Sequence, residues 1–135
     1  MSESLKDQFK GHQYLTIESY RKNGDGVRTP VWFVEENGSL FVSTEKERIK
    51  YRNILRNPQV GASIDDDHPY RGVSIKGIAQ LHQSDIQARV RQIVTRYVPA
   101  AELDALVAWL FKGPRVVIEI RPISVVKIGA DWHAV

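Results

Sequence analysis

The stretch from Tyr14 to Ser43 reads YLTIESYRKNGDGVRTPVWFVEENGSLFVS, and it decides the fold. It contains three runs rich in β-branched and aromatic residues: residues 14–20, 28–35 and 40–43. The sequences Asn23-Gly24-Asp25-Gly26 and Glu36-Asn37-Gly38 separate these runs, and Asn and Gly tolerate the positive φ of tight hairpin turns. The stretch therefore predicts three consecutive antiparallel strands.

The same alternation recurs further along the chain, between segments of helical character. Strands are predicted over residues 60–64 and 73–81, and one last strand, formed by residues 115–120 and 124–128, is interrupted by Pro122. Helices are predicted over residues 5–12, 45–57, 85–97 and 101–111. In the second of these helices, Ile49, Ile54 and Leu55 are predicted to share one apolar face.

Two residues inside the predicted strands carry a more specific expectation. Pro30 has no N–H to donate, so it should lie at a sheet edge or at a bulge. Gly77 indicates a bend or a close approach by another group. Short strands joined by tight turns pair antiparallel, and closing into a barrel removes their exposed edges. We therefore expect a mainly β fold, a six-stranded antiparallel barrel with helices, formed by residues 1–135 as a single domain.

Composition excludes several classes of site. The 135 residues contain no cysteine, which excludes disulfides, thiolate metal sites and cysteine nucleophiles. The four histidines have no metal-ligand spacing, so no metal site is expected. Glycine-rich P-loop and dinucleotide fingerprints are absent from the sequence. No stretch approaches the ~20 apolar residues needed to cross a bilayer, and we expect a cytoplasmic protein without a membrane partner.

The densest group of chemically useful side chains follows the predicted third strand. Ser43 and Thr44 end that strand, and Arg48 and Lys50 open the next helix. Hydroxyl, guanidinium and ammonium groups are the donors that a phosphate needs, and a helix N-terminus adds backbone N–H groups. Residues two apart share no face of an ideal helix, but at its opening turn both can converge on one anion. The pattern also leaves open a solvated basic helix face.

Several short segments carry a family resemblance when they are taken in order. They are Tyr14-Leu15-Thr16, Thr29-Pro30-Val31-Trp32-Phe33, Phe41-Val42-Ser43-Thr44, Arg48-x-Lys50-x-Arg52-Asn53-Ile54-x-Arg56-Asn57-Pro58, Asp67-His68-Pro69-Tyr70-Arg71, Val73-Ser74-Ile75-Lys76-Gly77-Ile78-Ala79 and Val117-Ile118-Glu119-Ile120-Arg121-Pro122. Together they cover about half of the chain. They resemble the pyridoxamine 5′-phosphate oxidase-like superfamily, the FMN-binding split barrels, and within it the group of small F420-dependent enzymes.

The resemblance implies a split barrel that forms a homodimer and binds F420 or FMN in a groove at the subunit interface. By this resemblance, the cofactor phosphate would be held by four residues: Ser43, Thr44, Arg48 and Lys50. The ring system of the cofactor would lie beside Pro30, Val31 and Trp32.

The resemblance implies further cofactor contacts by basic residues outside these two groups. Arg28 matches a basic residue that contacts the cofactor in the oxidases, and Arg71 falls at a position where the relatives often have another polar cofactor contact. The polyglutamate tail of F420 would be met by Lys46, Arg52 and Arg56.

The implied activity is that of an oxidoreductase that transfers a hydride between the bound cofactor and a small conjugated molecule. The C-terminal Arg-and-His substrate motif of pyridoxamine phosphate oxidases is missing, so oxidation of vitamin B6 is not expected. No residue stands out as a general acid or base, and no catalytic residue is assigned, because a flavin or deazaflavin ring carries the hydride itself.

Two other functions stay open at this point. The same absence of an acid or base fits a non-catalytic protein that stores or senses FMN or F420. A basic barrel that binds nucleic acid is the third alternative. The net charge of only +3 and the acidic run from Asp65 to Asp67 count against it.

Overall fold

The computed structural model describes residues 14–65 and 72–128. In chain order the elements are β1 (Leu15–Tyr20), β2 (Gly26–Val31), β3 (Phe33–Glu36), β4 (Ser39–Glu45), α1 (Ile49–Arg56), β5 (Gln59–Asp65), β6 (Gly72–His82), α2 (Gln87–Thr95), α3 (Ala100–Leu110) and β7 (Arg115–Ile128). The helix predicted over residues 5–12 lies outside the described residues. None of the helices in the described ranges is long and apolar enough to cross a membrane.

The strands form one antiparallel sheet with the order β2-β1-β5-β6-β7-β4-β3. Its two edge strands, β2 and β3, are joined by the single residue Trp32. Because one residue links opposite edges, the sheet has to curl until those edges meet, and the result is a split barrel with helices. This confirms the predicted mainly β, antiparallel split barrel. It also confirms Pro30 at a sheet edge, since β2 pairs with β1 alone.

The predicted count of six strands is wrong, because the described sheet has seven. The stretch 28–35, predicted as one strand, is divided at Trp32 into β2 and β3. β2 pairs with β1, whereas β3 pairs with β4. At the start of β3 the Phe33 N–H and C=O bond to the Tyr97 hydroxyl, and the strand pairing changes from β1 to β4.

The barrel interior is filled by alternate residues of the strands, as the sequence pattern predicts. β1 alternates strictly between buried and half-buried positions, with Leu15, Ile17 and Ser19 facing inward. A second apolar cluster lies on the outer face of β3, β4 and β7, where α2 and α3 cover it. The two clusters place β4 between the barrel core and the helices, so its C-terminal end has apolar material on both faces.

β7 and β6 pair along most of their length, with one irregularity at Gly77. The register moves from Lys76 opposite Ser124 to Gly77 opposite Pro122, which leaves Ile123 as the extra residue of a bulge. The break predicted at Pro122 is therefore a bulge inside one 14-residue strand. A Cβ atom on Gly77 would lie 2.8 Å from the Arg121 carbonyl oxygen, which confirms the predicted close approach.

We expect Gly77→Ala to destabilise the protein by about 1–3 kcal/mol, because the added methyl group overlaps backbone that cannot move freely. Gly61→Ala is the matched control in the neighbouring strand, since its Cβ would meet nothing closer than 3.6 Å. The control should be neutral or slightly stabilising. Urea denaturation of both variants measures the difference, and equal midpoints would contradict the close approach at Gly77.

Candidate functional site

A cleft of about 650 Å³ opens beside β2, the end of β4 and the beginning of α1. Ile93 and Val94 of α2 and Leu110 of α3 close its outer wall. Seven of the residues singled out from the sequence line it: Pro30, Val31, Trp32, Ser43, Thr44, Arg48 and Lys50. The structure thus brings together the two sequence segments that were predicted to meet a cofactor.

Cations crowd the end of the cleft at α1. Arg48 is the N-cap residue of α1 in extended backbone, and Lys50 lies in the first helical turn. Arg115, at the first position of β7, completes the group. Burial lowers the pKa of Lys50, and the positive charges of Arg48 and Arg115 lower it further. These groups repel one another when no anion is present, so this end of the cleft favours a negatively charged ligand.

Ser43 and Thr44, near the end of β4, both line the cleft. Thr44 is only 4% exposed. The Ser43 hydroxyl oxygen is buried and has no hydrogen-bond partner in the described part of the chain. A buried polar atom without a partner costs free energy, and such atoms are rare in folded proteins. The orphaned Ser43 hydroxyl is therefore a ready hydrogen-bond group for a ligand.

The opposite end of the cleft is apolar and is built around the corner between β2 and β3. The Trp32 indole stacks on the Tyr97 ring with centroids 4.5 Å apart and planes inclined by 6°. The Tyr97 hydroxyl accepts from the Phe33 N–H at 3.0 Å and donates to the Phe33 carbonyl at 3.2 Å. Burial raises the pKa of Tyr97, which keeps the hydroxyl protonated and able to donate. Tyr97 therefore contacts both the Trp32 ring and the Phe33 backbone at this corner.

Helix α1 is fixed to the barrel by a polar contact. The buried Asn53 donates from Nδ2 to the Ser19 hydroxyl at 3.1 Å. The prediction of one apolar face on α1 is wrong, because Ile49 and Leu55 are 45% and 58% exposed and only Ile54 of that set is buried. The reason is that α1 turns Asn53 and Ile54 toward the barrel. This anchoring fixes the position of the helix opening that carries Arg48 and Lys50.

Of the two further arginines that the resemblance implies, Arg28 is not among the described residues that line the cleft. Arg28 is two-thirds exposed and lies 3.5 Å from Glu18 on the neighbouring strand. Arg71 lies outside the described residues. A role in cofactor binding for either arginine stays a prediction.

Sequence reasoning missed Arg115 and Tyr97. Arg115 reaches the cleft because β7 pairs with β4 in a register that sets it opposite Glu45. Tyr97 reaches the corner because the segment after α2 folds back over Trp32. Neither residue stands in a local motif, and only the pairing of distant segments identifies them.

An antiparallel sheet whose edge strands are joined at one corner, with a cleft beside that corner, defines the split-barrel class of proteins. The chain belongs to the pyridoxamine 5′-phosphate oxidase family, which matches residues 1–128. Proteins with this fold generally bind flavin. No match was found among curated proteins.

Solved structures resemble this chain over nearly its whole length. A protein titled F420 reductase is 25% identical, with a TM-score of 0.71 over 93% of this chain and 98% of that one. A conserved hypothetical protein from Mycobacterium tuberculosis is 22% identical, with a TM-score of 0.83 over 100% of this chain and 89% of that one. The heme storage protein HutZ from Vibrio cholerae is 17% identical, with a TM-score of 0.72 over 93% and 92% of the two chains. The last two likenesses concern the fold alone.

Proposed function

We propose that this protein binds F420 or FMN in the cleft and is an oxidoreductase that transfers a hydride between that cofactor and a small conjugated molecule. One observation carries the proposal. The buried, unpartnered Ser43 hydroxyl lies in the same cleft as the cations Arg48 and Lys50, and the opposite end of that cleft is apolar. A planar ring system with a phosphorylated side chain has the matching distribution of charge and apolar surface.

The residues present fit a cofactor phosphate by the chemistry of their donors. Arg48 offers a planar fork and Lys50 a compact charge, and Ser43 and Thr44 offer hydroxyl donors. The opening turn of α1 adds backbone N–H groups and the positive end of the helix dipole. This donor set would hold the phosphate, while Pro30, Val31 and Trp32 would lie along the ring.

When it is bound, a flavin or deazaflavin supplies the hydride chemistry of the reaction. The protein then has to orient the ring and exclude water from its buried side. Trp32 is held against Tyr97, and Ile93 and Val94 close the outer wall, so this end of the cleft is rigid and apolar. A rigid apolar wall fixes the approach of an acceptor to the exposed side of the ring.

Between the two cofactors, the F420-reductase likeness favours F420. Its polyglutamate tail would extend past the phosphate toward further cations. Lys46 precedes α1 and is a candidate for that role, whereas Arg52 already donates from Nη2 to the Glu47 carbonyl at 3.3 Å. Arg56 is not a candidate, because its guanidinium donates to the Tyr20 carbonyl at 2.7 Å and to Asn53 Oδ1 at 3.1 Å. FMN stays the second choice, since it also carries a phosphate.

We propose in addition that two copies of the chain form a homodimer with a cofactor at the interface. Large apolar side chains stand exposed on the last part of β7 and on the adjacent β6: Ile78, Ile123, Val125 and Val126. Exposed apolar residues grouped on neighbouring strands mark surfaces that a partner covers. A second copy of the chain is the occupant that the family resemblance supports.

A second candidate function is a protein that stores or senses the same cofactor without turnover. It is favoured by the cleft lining in the described part of the chain, whose only acidic groups are Glu45 and Glu47 at the cationic end. Among the described residues at the apolar end, the titratable group is the Tyr97 hydroxyl, which is already bonded to the Phe33 backbone. Turnover separates the two functions, because both predict binding and only the first predicts reduction of an acceptor.

The proposal is tested by titrating purified protein with F420, FMN and riboflavin while the cofactor's fluorescence is followed. We expect F420 or FMN to bind at least 100-fold more tightly than riboflavin, since roughly two charged phosphate contacts distinguish them. Reduced cofactor is then offered a panel of conjugated acceptors. Binding with no turnover would favour the storage function, and absence of binding would rule out both.

A further inference from the structure

Arg115 is a nearly buried cation whose donors are only partly used. Its side chain is 10% exposed. Within the described part of the chain, its one hydrogen bond runs from Nε to the Leu110 carbonyl at the end of α3, at 3.2 Å. The nearest carboxylate oxygen, on Glu45, lies 3.9 Å from Nη2, which is too far for a hydrogen bond. Arg115 lines the cleft, and its terminal nitrogens have no hydrogen-bonded partner among the described residues.

The sheet register sets Arg115 on the face that carries the Ser43 hydroxyl. Arg115 lies opposite Glu45, and Ser43 lies opposite Val117, two residues further along each strand. Residues two apart on a strand share a face, so Ser43, Glu45 and Arg115 project toward the same side of the sheet. Ser43 and Arg115 are diagonal neighbours on this face, and the arginine side chain is long enough for both residues to contact one ligand group.

The charge around Arg115 favours an anion over its protein neighbours. Burial lowers the pKa of Arg115, Glu45 raises it and Arg48 lowers it. Glu45 is thus the one neighbour in this group that stabilises the guanidinium charge. A second anion entering the cleft would stabilise Arg115 and would be repelled by Glu45.

We propose that Arg115 is a third anion anchor of the cleft, which binds the ligand phosphate together with Arg48 and Lys50, and that Glu45 competes with the phosphate for it. The inference rests on the proposed function in that the anion is the phosphate of F420 or FMN. The Arg115 Nε donates to the Leu110 carbonyl, which leaves both Nη groups free for a bidentate contact with the phosphate. Nothing in the sequence around residue 115 indicated this role.

The two halves of the proposal predict changes of opposite sign. Arg115→Gln should weaken F420 or FMN binding roughly 10- to 100-fold, the loss of one charged hydrogen-bonded contact. Glu45→Gln should tighten binding roughly 3- to 10-fold, because it removes a negative charge beside the phosphate. If Arg115 and Glu45 were only a structural pair, both variants would weaken binding together.

The experiment measures dissociation constants for the parent, Arg115→Gln and Glu45→Gln with each cofactor and with its counterpart lacking the phosphate, riboflavin for FMN and the deazaflavin alcohol for F420. We expect Arg115→Gln to change binding of the phosphorylated molecules only. An equal loss for the phosphate-free counterparts would overturn the proposal, and so would weaker binding by Glu45→Gln. Glu45→Gln keeps the Leu110 contact of Arg115, so it tests the proposal even if Arg115→Gln fails to fold.

Inorganic phosphate separates failure of this inference from failure of the proposed function. Thermal unfolding is recorded with and without phosphate for the parent and both variants. If neither cofactor binds but phosphate stabilises the parent and not Arg115→Gln, the anchor stands and the cofactor assignment fails. If the cofactors bind the parent and Arg115→Gln equally well, the proposed function stands and the anchor is refuted.

Discussion

Replacing Arg48 and Lys50 together by alanine is expected to weaken cofactor binding roughly 10²- to 10⁴-fold. Both side chains line the cationic end of the cleft, and each would make a charged contact with the cofactor phosphate. Fluorescence titration of the double variant with F420 and FMN measures the loss. Arg91→Ala is the control, because Arg91 lies outside the cleft lining in an exposed pair with Asp104. Binding by the double variant equal to that of the parent would refute the phosphate site.

The same double variant should stay folded without cofactor. Burial and the positive charges of Arg48 and Arg115 lower the pKa of Lys50, so its protonated form is less favourable in the folded chain than in the unfolded one. That destabilisation is fully present below the lowered folded-state pKa, and it disappears as the pH rises past the ordinary value of 10.5. Removing both cations therefore relieves repulsion in the empty cleft, and the unfolding temperature should be unchanged or slightly higher.

Phe33→Ala is expected to give a large loss of stability, about 3–5 kcal/mol. Phe33 is 1% exposed and is among the largest fully buried side chains of the described structure. It lies at the corner where the two edge strands are joined, and the Arg96 guanidinium stands 4.5 Å from the centre of its ring. Removing the ring leaves a cavity in the barrel core, next to Trp32, the residue that joins the two edge strands. We expect the surrounding side chains to fill this cavity poorly.

Urea denaturation followed by circular dichroism measures this loss. Phe111→Ala is the matched control, because Phe111 is only partly buried against the outer cluster. It should cost clearly less. If the two variants lose the same free energy of unfolding, the corner is not the point of tight packing that the structure indicates.

The local parts of the fold could be predicted because they depend on neighbours in the chain. Asn37 and Gly38 adopt positive φ at the β3–β4 turn, as the residue types of that turn predict. β1 alternates between buried and half-buried positions, as its sequence does. The candidate phosphate-binding residues could also be identified from the sequence, because all four lie along a single strand-to-helix connection: Ser43, Thr44, Arg48 and Lys50.

The structural features that local sequence patterns did not predict depend on contacts between distant segments of the chain. The division of residues 28–35 occurs at Trp32, where Tyr97, distant in the chain, bonds to the Phe33 backbone and stacks on the Trp32 ring. The exposure of Ile49 and Leu55 follows from the Asn53–Ser19 contact, which turns a polar side chain of α1 toward the barrel. In both cases a tertiary contact outweighed a local apolar pattern.

The sequence by itself determined the hairpins and the antiparallel class of sheet, because turn chemistry and side-chain alternation act over a few residues. Only the tertiary structure decided that the barrel closes at Trp32, that Arg28 pairs with Glu18 and that Arg115 lines the cleft. The physical reason is strand register. Which side chains share a face across β4 and β7 is set by hydrogen bonds between segments far apart in the chain, and no local pattern specifies them.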